Sequence, residues 1–245
     1  MKIGIAGYGF VGQAHHALLE KEHEIVISDP AKGYFGNLRT CDALIVCVAT
    51  PSRHDGSCEM ANVFNVIDNS VDIPILIKST ISVEGWRMLV DAFPTHRIAF
   101  SPEFLRAATA VEDLKTMSLL LVGGKATNFW KDVFNIKTEV CDPEALVLTK
   151  YARNTFLALK VSYFNQLFDL CKEIGVDFDA VRQYTTLDER IGSSHSEVTD
   201  NRGYGGHCFP KDVRAILHTA ERDNVDLSIL KEAQAYNIKI RKNNE

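Results

Sequence analysis

The chain has 245 residues, 46% apolar and 24% charged, with a net charge of −5. That length holds one large core or two modest ones, and the acidic balance lacks the basic surface that a nucleic-acid partner requires. No stretch approaches the ~18 continuous apolar residues of a membrane span, and MKIGIAGYGF at the N-terminus lacks the layout of a signal peptide.

The first half alternates short apolar runs with helical patterns. The runs are 2–7, 24–28, 43–49, 73–79, 97–101 and 118–124, rich in Ile, Val and Leu. Most show no alternation, as in strands covered on both faces. Stretches with helical spacing, such as VGQAHHALLEK and ANVFNVIDNSV, lie between several of them. The pattern predicts a Rossmann-type α/β fold, a doubly wound and mostly parallel sheet, over residues 1–142.

After Pro143 the pattern changes. Residues 144–175 read as one long helix with no Gly or Pro until Gly175, a spine longer than the usual globular helix. Further helices are predicted at 177–186, near 211–222 and at 227–241, with an irregular stretch over 188–207. Residues 143–245 are therefore expected to form an all-helical domain. The six cysteines (41, 47, 58, 141, 171 and 208) form no CxxC pair and no zinc-like spacing. They read as free thiols of a cytoplasmic protein with no metal site; Cys47, in ALIVCVA, reads as a small core residue.

Gly7-Tyr8-Gly9-Phe10-Val11-Gly12 follows the first strand and opens a helix. Gly7 permits the tight turn, Gly9 lets a pyrophosphate approach the backbone, and Gly12 lets helix and strand pack closely. Asp29 ends the second strand at the distance expected of a ribose-binding acid, which favours NAD over NADP by repelling a 2′-phosphate.

RGYGGHCFPKD (202–212) places Cys208 between a glycine pair and Pro-Lys-Asp. Pro210 suits the first turn of a helix, so Cys208 falls just before its unpaired N–H groups, a position that favours a thiolate. Asp212 lies one turn on. Taken alone, the same stretch reads equally as a glycine loop with a cysteine filling a gap. Lys150 and Asn154, four apart on the spine, can hold an oxyanion or can be a solvated polar face. Glu103, after the fifth strand, can be a general base or a helix-capping acid.

GYGFVG, SPEFLR, KYARNTF and GYGGHCFPKD occur in one order, with VATPS (48–52) and IKSTIS (77–82) between them. Together they resemble the UDP-glucose dehydrogenase family of nucleotide-sugar dehydrogenases, which also includes GDP-mannose and UDP-N-acetylmannosamine enzymes. The resemblance implies oxidation of a primary alcohol to a carboxylate with two NAD⁺ and one cysteine. It implies a thiohemiacetal and then a thioester on Cys208, with Lys150 and Asn154 stabilising oxyanions. Asp212 and Thr80 would position water or take protons, and Glu103 would serve thioester hydrolysis. Cofactor contacts are implied at Phe10, Val11, Thr50, Pro51 and Thr80. Contacts to the sugar nucleotide are implied at Phe104, Leu105, Arg106, Gly205 and Gly206. Arg190 matches an arginine that reaches a neighbouring subunit, so a homodimer built on the spine helix is expected.

The chain departs from that pattern in two places. The family continues into a third, nucleotide-gripping domain, which this sequence would lack, so turnover of the chain alone is expected to be weak unless another polypeptide supplies that domain. After Glu103-Phe104-Leu105 the pattern reads Arg-Glu-Gly, whereas this chain has Arg106-Ala107-Ala108. Two other readings stand beside the leading one: a non-catalytic or partner-dependent NAD-binding relative, and a two-electron dehydrogenase of the 6-phosphogluconate type.

Overall fold

The structure is a computed structural model and describes residues 1–242. It divides into two compact units, residues 1–51 with 58–150, and residues 52–57 with 151–245. The sequence pattern sets its boundary a little earlier, where the spine helix begins.

In the first unit the strands are β1 (Lys2–Ala6), β2 (Glu24–Asp29), β3 (Tyr34–Phe35), β4 (Ala43–Val46), β5 (Pro74–Ile77), β6 (Arg97–Phe100), β7 (Leu119–Gly124) and β8 (Lys137–Val140). They form one sheet in the order β3-β2-β1-β4-β5-β6-β7-β8. Strands β2, β1, β4, β5 and β6 run parallel, β3 and β7 pair antiparallel with β2 and β6, and β8 is parallel to β7. Helices α1 (Phe10–Leu19), α2 (Ala61–Asp68), α3 (Val83–Ala92), α4 (Ala110–Lys115) and α5 (Thr127–Phe134) connect them. The mostly parallel doubly wound sheet is as the sequence predicts.

The unalternating runs are strands because both faces are covered. Every residue of β4 and β5 is buried. Leu76 is fully buried in a cluster with Ile3, Ile45, Ala99, Val122 and Trp130. The pattern does not reveal β3 and β8. The first has only two residues, and β8, KTEV, is a mostly exposed strand without an apolar run.

In the second unit, α6 (Pro143–Ile174) is the predicted spine, which begins in the first unit and ends before Gly175. It is followed by α7 (Phe178–Thr186), α8 (Phe209–Arg222) and α9 (Ser228–Ile240). Asp177 caps α7 by accepting from the Asp179 N–H, and Pro210 occupies the first turn of α8, where a missing N–H costs nothing. Ala158, Val161, Tyr204, Val213 and Leu230 form the core of this unit.

No helix or strand forms between α7 and α8, and the last part of this connection is held by side chains of α6 and α9. Arg202, at φ 57°, donates through Nε to the Asn165 side chain at 2.9 Å and through its guanidinium to Asp169 at 2.7 Å. Asn165 also accepts from the Gly203 N–H, and Asn237 both accepts from the Tyr204 N–H and donates to the Tyr204 carbonyl. A side chain at Gly205 would collide with the Arg241 guanidinium. The backbone N–H groups of Gly203 and Tyr204 and the Tyr204 carbonyl are thereby paired, which avoids the ~1–3 kcal/mol cost of leaving such a group unsatisfied.

Replacing Leu76 with Ala removes a fully buried side chain from the first unit and should cost about 3 kcal/mol, the usual range for such cavities. Urea unfolding monitored by the fluorescence of the buried Trp130 reads this directly. A loss below about 1 kcal/mol would contradict the two-sided packing of β5.

Candidate active site

The strand order reverses between β1 and β4, and ligands of open α/β sheets bind at the carboxyl ends beside such a switch point. Gly7 sits there at φ 88°. A Cβ on it would lie 2.6 Å from the Cys47 carbonyl oxygen, and a Cβ on Gly12 would run into the Gly7 carbonyl. The space beside Gly9 is open: among the described residues, none beyond its chain neighbours comes within 4 Å of where a Cβ would stand. That open cradle at the start of α1 fits a pyrophosphate. Phe10 and Val11 form the first turn of α1. The Tyr8 N–H donates to Asp29 Oδ2 at 2.7 Å, which fixes the acid at the end of β2 beside the glycine turn.

The loops after β4 and β5 are tied to each other. Thr50 Oγ1 donates to the Thr80 carbonyl at 2.7 Å, and Ser79 Oγ donates to the Val48 carbonyl at 2.8 Å. Thr50, Thr80 and the adjoining Pro51 therefore stand at the same carboxyl ends as the glycine turn.

Glu103 follows β6, and its side chain points into the unit. Lys78, just after β5, brings its ammonium within 3.2 Å of Glu103 Oε2 and donates to Ser101 Oγ at 3.0 Å. His15, on the buried face of α1, places Nε2 3.7 Å from the same carboxylate oxygen. Burial, and then the Lys78 charge, push the His15 pKa down to about 4 against a smaller opposing pull from Glu103. The imidazole is therefore neutral near pH 7. Burial and the Glu103 charge push the Cys47 thiol far up, and this half-buried side chain packs against the core of the first unit. The backbone carbonyl of Glu103 accepts from Lys150 Nζ at 2.5 Å, and the ammonium lies 5.7 Å from the centre of the Phe104 ring. Leu105 packs with Ala14, Ala110 and Leu114. Arg106 is exposed, and its guanidinium and N–H both engage Asp113, whose carboxyl is held far below the usual range by that pairing.

In the second unit Cys208 is half-buried and immediately precedes α8. Asp212, one turn later, is fully buried. Its two oxygens accept from Asn154 Nδ2 and from Lys211 Nζ, both at 2.5 Å. Gly205 and Gly206 lead into Cys208, Gly206 at φ 75°. Arg190 lies in an exposed turn, its guanidinium bound to Asp188 two residues before it.

The structure thus brings Lys150 to Glu103, Asn154 to Asp212, and Thr50 to Thr80. Sequence reasoning missed Lys78 and His15 altogether, and missed that Lys211 holds Asp212. A lysine closing the apolar run IPILIKS and a histidine on the apolar face of α1 were the available signals. Among the described residues no group of His, Cys, Asp and Glu is arranged to hold a metal ion, and no helix is long and apolar enough to cross a membrane.

Comparison with known proteins places both units. Residues 31–137 match the model of the UDP-glucose/GDP-mannose dehydrogenase family, NAD binding domain, and residues 145–239 match that of the same family's central domain. A UDP-glucose 6-dehydrogenase of Rickettsia felis is 31% identical over 216 residues, covering 81% of this chain and 48% of that protein. The structure of a UDP-glucose dehydrogenase from the hyperthermophilic archaeon Pyrobaculum islandicum superposes with a TM-score of 0.85 at 25% identity, covering 97% of this chain and 68% of that one. The UDP-D-ManNAc dehydrogenase of Pyrococcus horikoshii shares the fold at 17% identity, with a TM-score of 0.79, covering 98% of this chain and 69% of that one. The chain spans about half the length of the curated relatives it matches.

The neutral burial of His15 has a consequence for stability. The folded state resists a proton that the unfolded state accepts near pH 6.5, so this contribution is intact above that pH and is lost as pH falls toward 4. The full loss is about 3 kcal/mol by linkage. In urea unfolding between pH 4.5 and 7, His15→Met should show a shallower acid-side decline than the wild type; equal slopes would refute the assignment.

Proposed function

Since the chain belongs to the UDP-glucose/GDP-mannose dehydrogenase family and carries its NAD binding and central domains, we propose that it is an NAD-dependent dehydrogenase of a nucleotide sugar, oxidising a primary alcohol to a carboxylate. The observation that carries this reading is the arrangement ahead of and within α8: Cys208 at the end of a clamped glycine loop, with buried Asp212 held by Asn154 and Lys211.

NAD supplies the hydride acceptor for each of the two oxidations, and the glycine turn with Asp29 are the residues that would hold it. Phe10, Val11, Thr50, Pro51 and Thr80 complete that surface. Lys150, fixed by the Glu103 carbonyl, stabilises the alkoxide from which the first hydride leaves. The resulting aldehyde is captured when the Cys208 thiolate forms a bond to its carbon and the oxygen takes a proton. Loss of the hydroxyl proton, together with the second hydride from that carbon, converts the thiohemiacetal into a thioester. Water then adds to the thioester carbonyl, the thiolate departs, and the carboxylate remains. Covalent capture keeps the aldehyde bound between the two oxidations.

Asn154 donates to the oxyanions, and Asp212 acts through the groups it orients, Asn154 and Lys211. Thr80 and Glu103 serve the water-requiring step, Glu103 with its charge set against Lys78. Substrate contacts are assigned to the backbone at Phe104 and Leu105 and to Arg106 in the first unit, and to Gly205 and Gly206 in the second.

The assembly we propose is a homodimer through α6. Phe156, Tyr163 and Leu170 recur every seventh residue along this helix, and each is more than half exposed. Such a stripe is the kind that a second helix covers. Arg190 would then serve the neighbouring subunit's substrate. Six free thiols suit a reducing compartment, and we place the protein in the cytoplasm.

Two NADH per molecule of sugar nucleotide consumed is the expected stoichiometry, with Cys208→Ala losing at least about a thousandfold in acid formation, as removal of a covalent nucleophile does. One NADH per turnover, with Cys208 dispensable, would identify a two-electron dehydrogenase. For the assembly, Phe156→Glu with Tyr163→Glu should shift sedimentation equilibrium from dimer to monomer, and an unchanged mass would reject the α6 interface.

A further inference from the structure

Asp29 is not the only charge brought to the ribose end of the glycine turn. After Asp29 the chain makes one tight turn, Pro30–Lys32, closed by the Gly33 N–H donating to the Pro30 carbonyl at 3.2 Å, with Gly33 at φ 79°. Proline at its start and a left-handed glycine at its end leave this turn little freedom. Its effect is to fold Lys32 back. Lys32 Nζ donates to the Tyr8 carbonyl at 2.8 Å, while the Tyr8 N–H donates to Asp29 Oδ2 at 2.7 Å. One residue of the dinucleotide turn therefore carries the carboxylate on its N–H and the ammonium on its C=O. Lys32 is otherwise exposed, and an ammonium has three donors, of which the Tyr8 carbonyl takes one.

The two charges have opposite consequences for the adenosine ribose. A carboxylate accepts from a 2′-hydroxyl and repels a 2′-phosphate, whereas a cation nearby accommodates that phosphate. We propose that Lys32 is a preplaced acceptor for the 2′-phosphate of NADP, and that Asp29 alone keeps the site selective for NAD. This rests on reading residues 31–137 as an NAD binding domain, and it goes further by assigning the cofactor choice to one residue working against a second. Asparagine at position 29 is the informative substitution. Its side-chain oxygen can keep the bond from the Tyr8 N–H, so the turn stays closed. Its amide then takes the place of the free carboxylate oxygen and donates to a phosphate.

Fluorescence titration with NADH and NADPH tests this without any sugar substrate. The wild type should bind NADH about a hundredfold more tightly than NADPH, given the repulsion between a carboxylate and a dianion at close range. Asp29→Asn should raise NADPH affinity about tenfold or more, and Asp29→Ser should do so in the same direction. Adding Lys32→Met to Asp29→Asn should return NADPH affinity to within about threefold of the wild type. Lys32→Met alone should leave NADH affinity within about threefold.

Failure of both position-29 variants to gain NADPH affinity overturns the proposal, as does a gain that survives loss of Lys32. A wild type that binds NADH but turns over no sugar nucleotide refutes the proposed activity and leaves this inference standing. A wild type that binds neither nucleotide overturns the cofactor reading and this inference together.

Discussion

The first unit depends on one buried ion pair. Lys78 and Glu103 lie at the carboxyl ends of adjacent parallel strands, both almost without solvent. Two charges taken out of water cost several kcal/mol each, and their attraction offsets this only when the remaining polar atoms are also paired. Ser101 takes one donor of the ammonium, and the Phe104 N–H donates to the second carboxylate oxygen. Removing either partner would leave the other as an uncompensated buried charge, at a cost of about 3–5 kcal/mol. The ends of β5 and β6 are in this way fixed in one register. Because the Glu103 carbonyl receives Lys150, the same residue also sets where the first part of α6 presents its ammonium. Neutral His15 completes the enclosure, since a charged imidazole there would add a second cation beside Lys78.

The second unit uses the same device with different parts. Asp212 is buried in the first turn of α8, where a carboxylate is favoured by the helix N-terminus, and both of its oxygens are occupied. Asn154 comes from the spine helix and Lys211 from the adjacent position, so a single carboxylate orients an amide and an ammonium together. In each unit a buried acid at the junction of a regular element and a loop fixes donor groups. Donors held in place before a substrate arrives need no reorganisation as charge develops, and that is where electrostatic catalysis draws its advantage.

The fold was readable in the sequence wherever burial on both faces left an unbroken apolar run, as in ALIV of β4 and PILI of β5, or where backbone sterics demanded glycine, as at Gly7 and Gly12. Polar or very short edge strands such as β8 and β3 carry no such mark, because solvent covers one side and the hydrophobic pattern is lost. Asn154 and Asp212 were legible as residues but not as partners. The same is true of Glu103, whose cation sits on another strand. Lys78 was hidden by its position, since a lysine closing a strand pattern normally reads as solvated. The clamp of Asn165, Asp169, Asn237 and Arg241 on residues 202–204 was equally silent, because polar side chains on helices ordinarily face water.

That clamp bears on how the thiol is presented. Arg202 is a non-glycine residue with positive φ, a conformation that costs of order 1 kcal/mol and persists when surrounding contacts over-determine it. Here the contacts are many: Asn165 and Asp169 from α6, the Phe168 ring beneath the guanidinium, and the Arg241 side chain on the Arg202 carbonyl. Residues 202–204 therefore pay their ordering entropy at folding, and the sulfur follows a segment that two helices define. Arg190 is built in the opposite manner. Among the described residues its guanidinium meets a carboxylate two residues away in its own turn and no other, and its side chain is 89% exposed. An exposed pair of that kind contributes little and yields readily to a better anion. In the mechanism we propose, the thiol would thus be set by the fold and the arginine left to be ordered by what it binds.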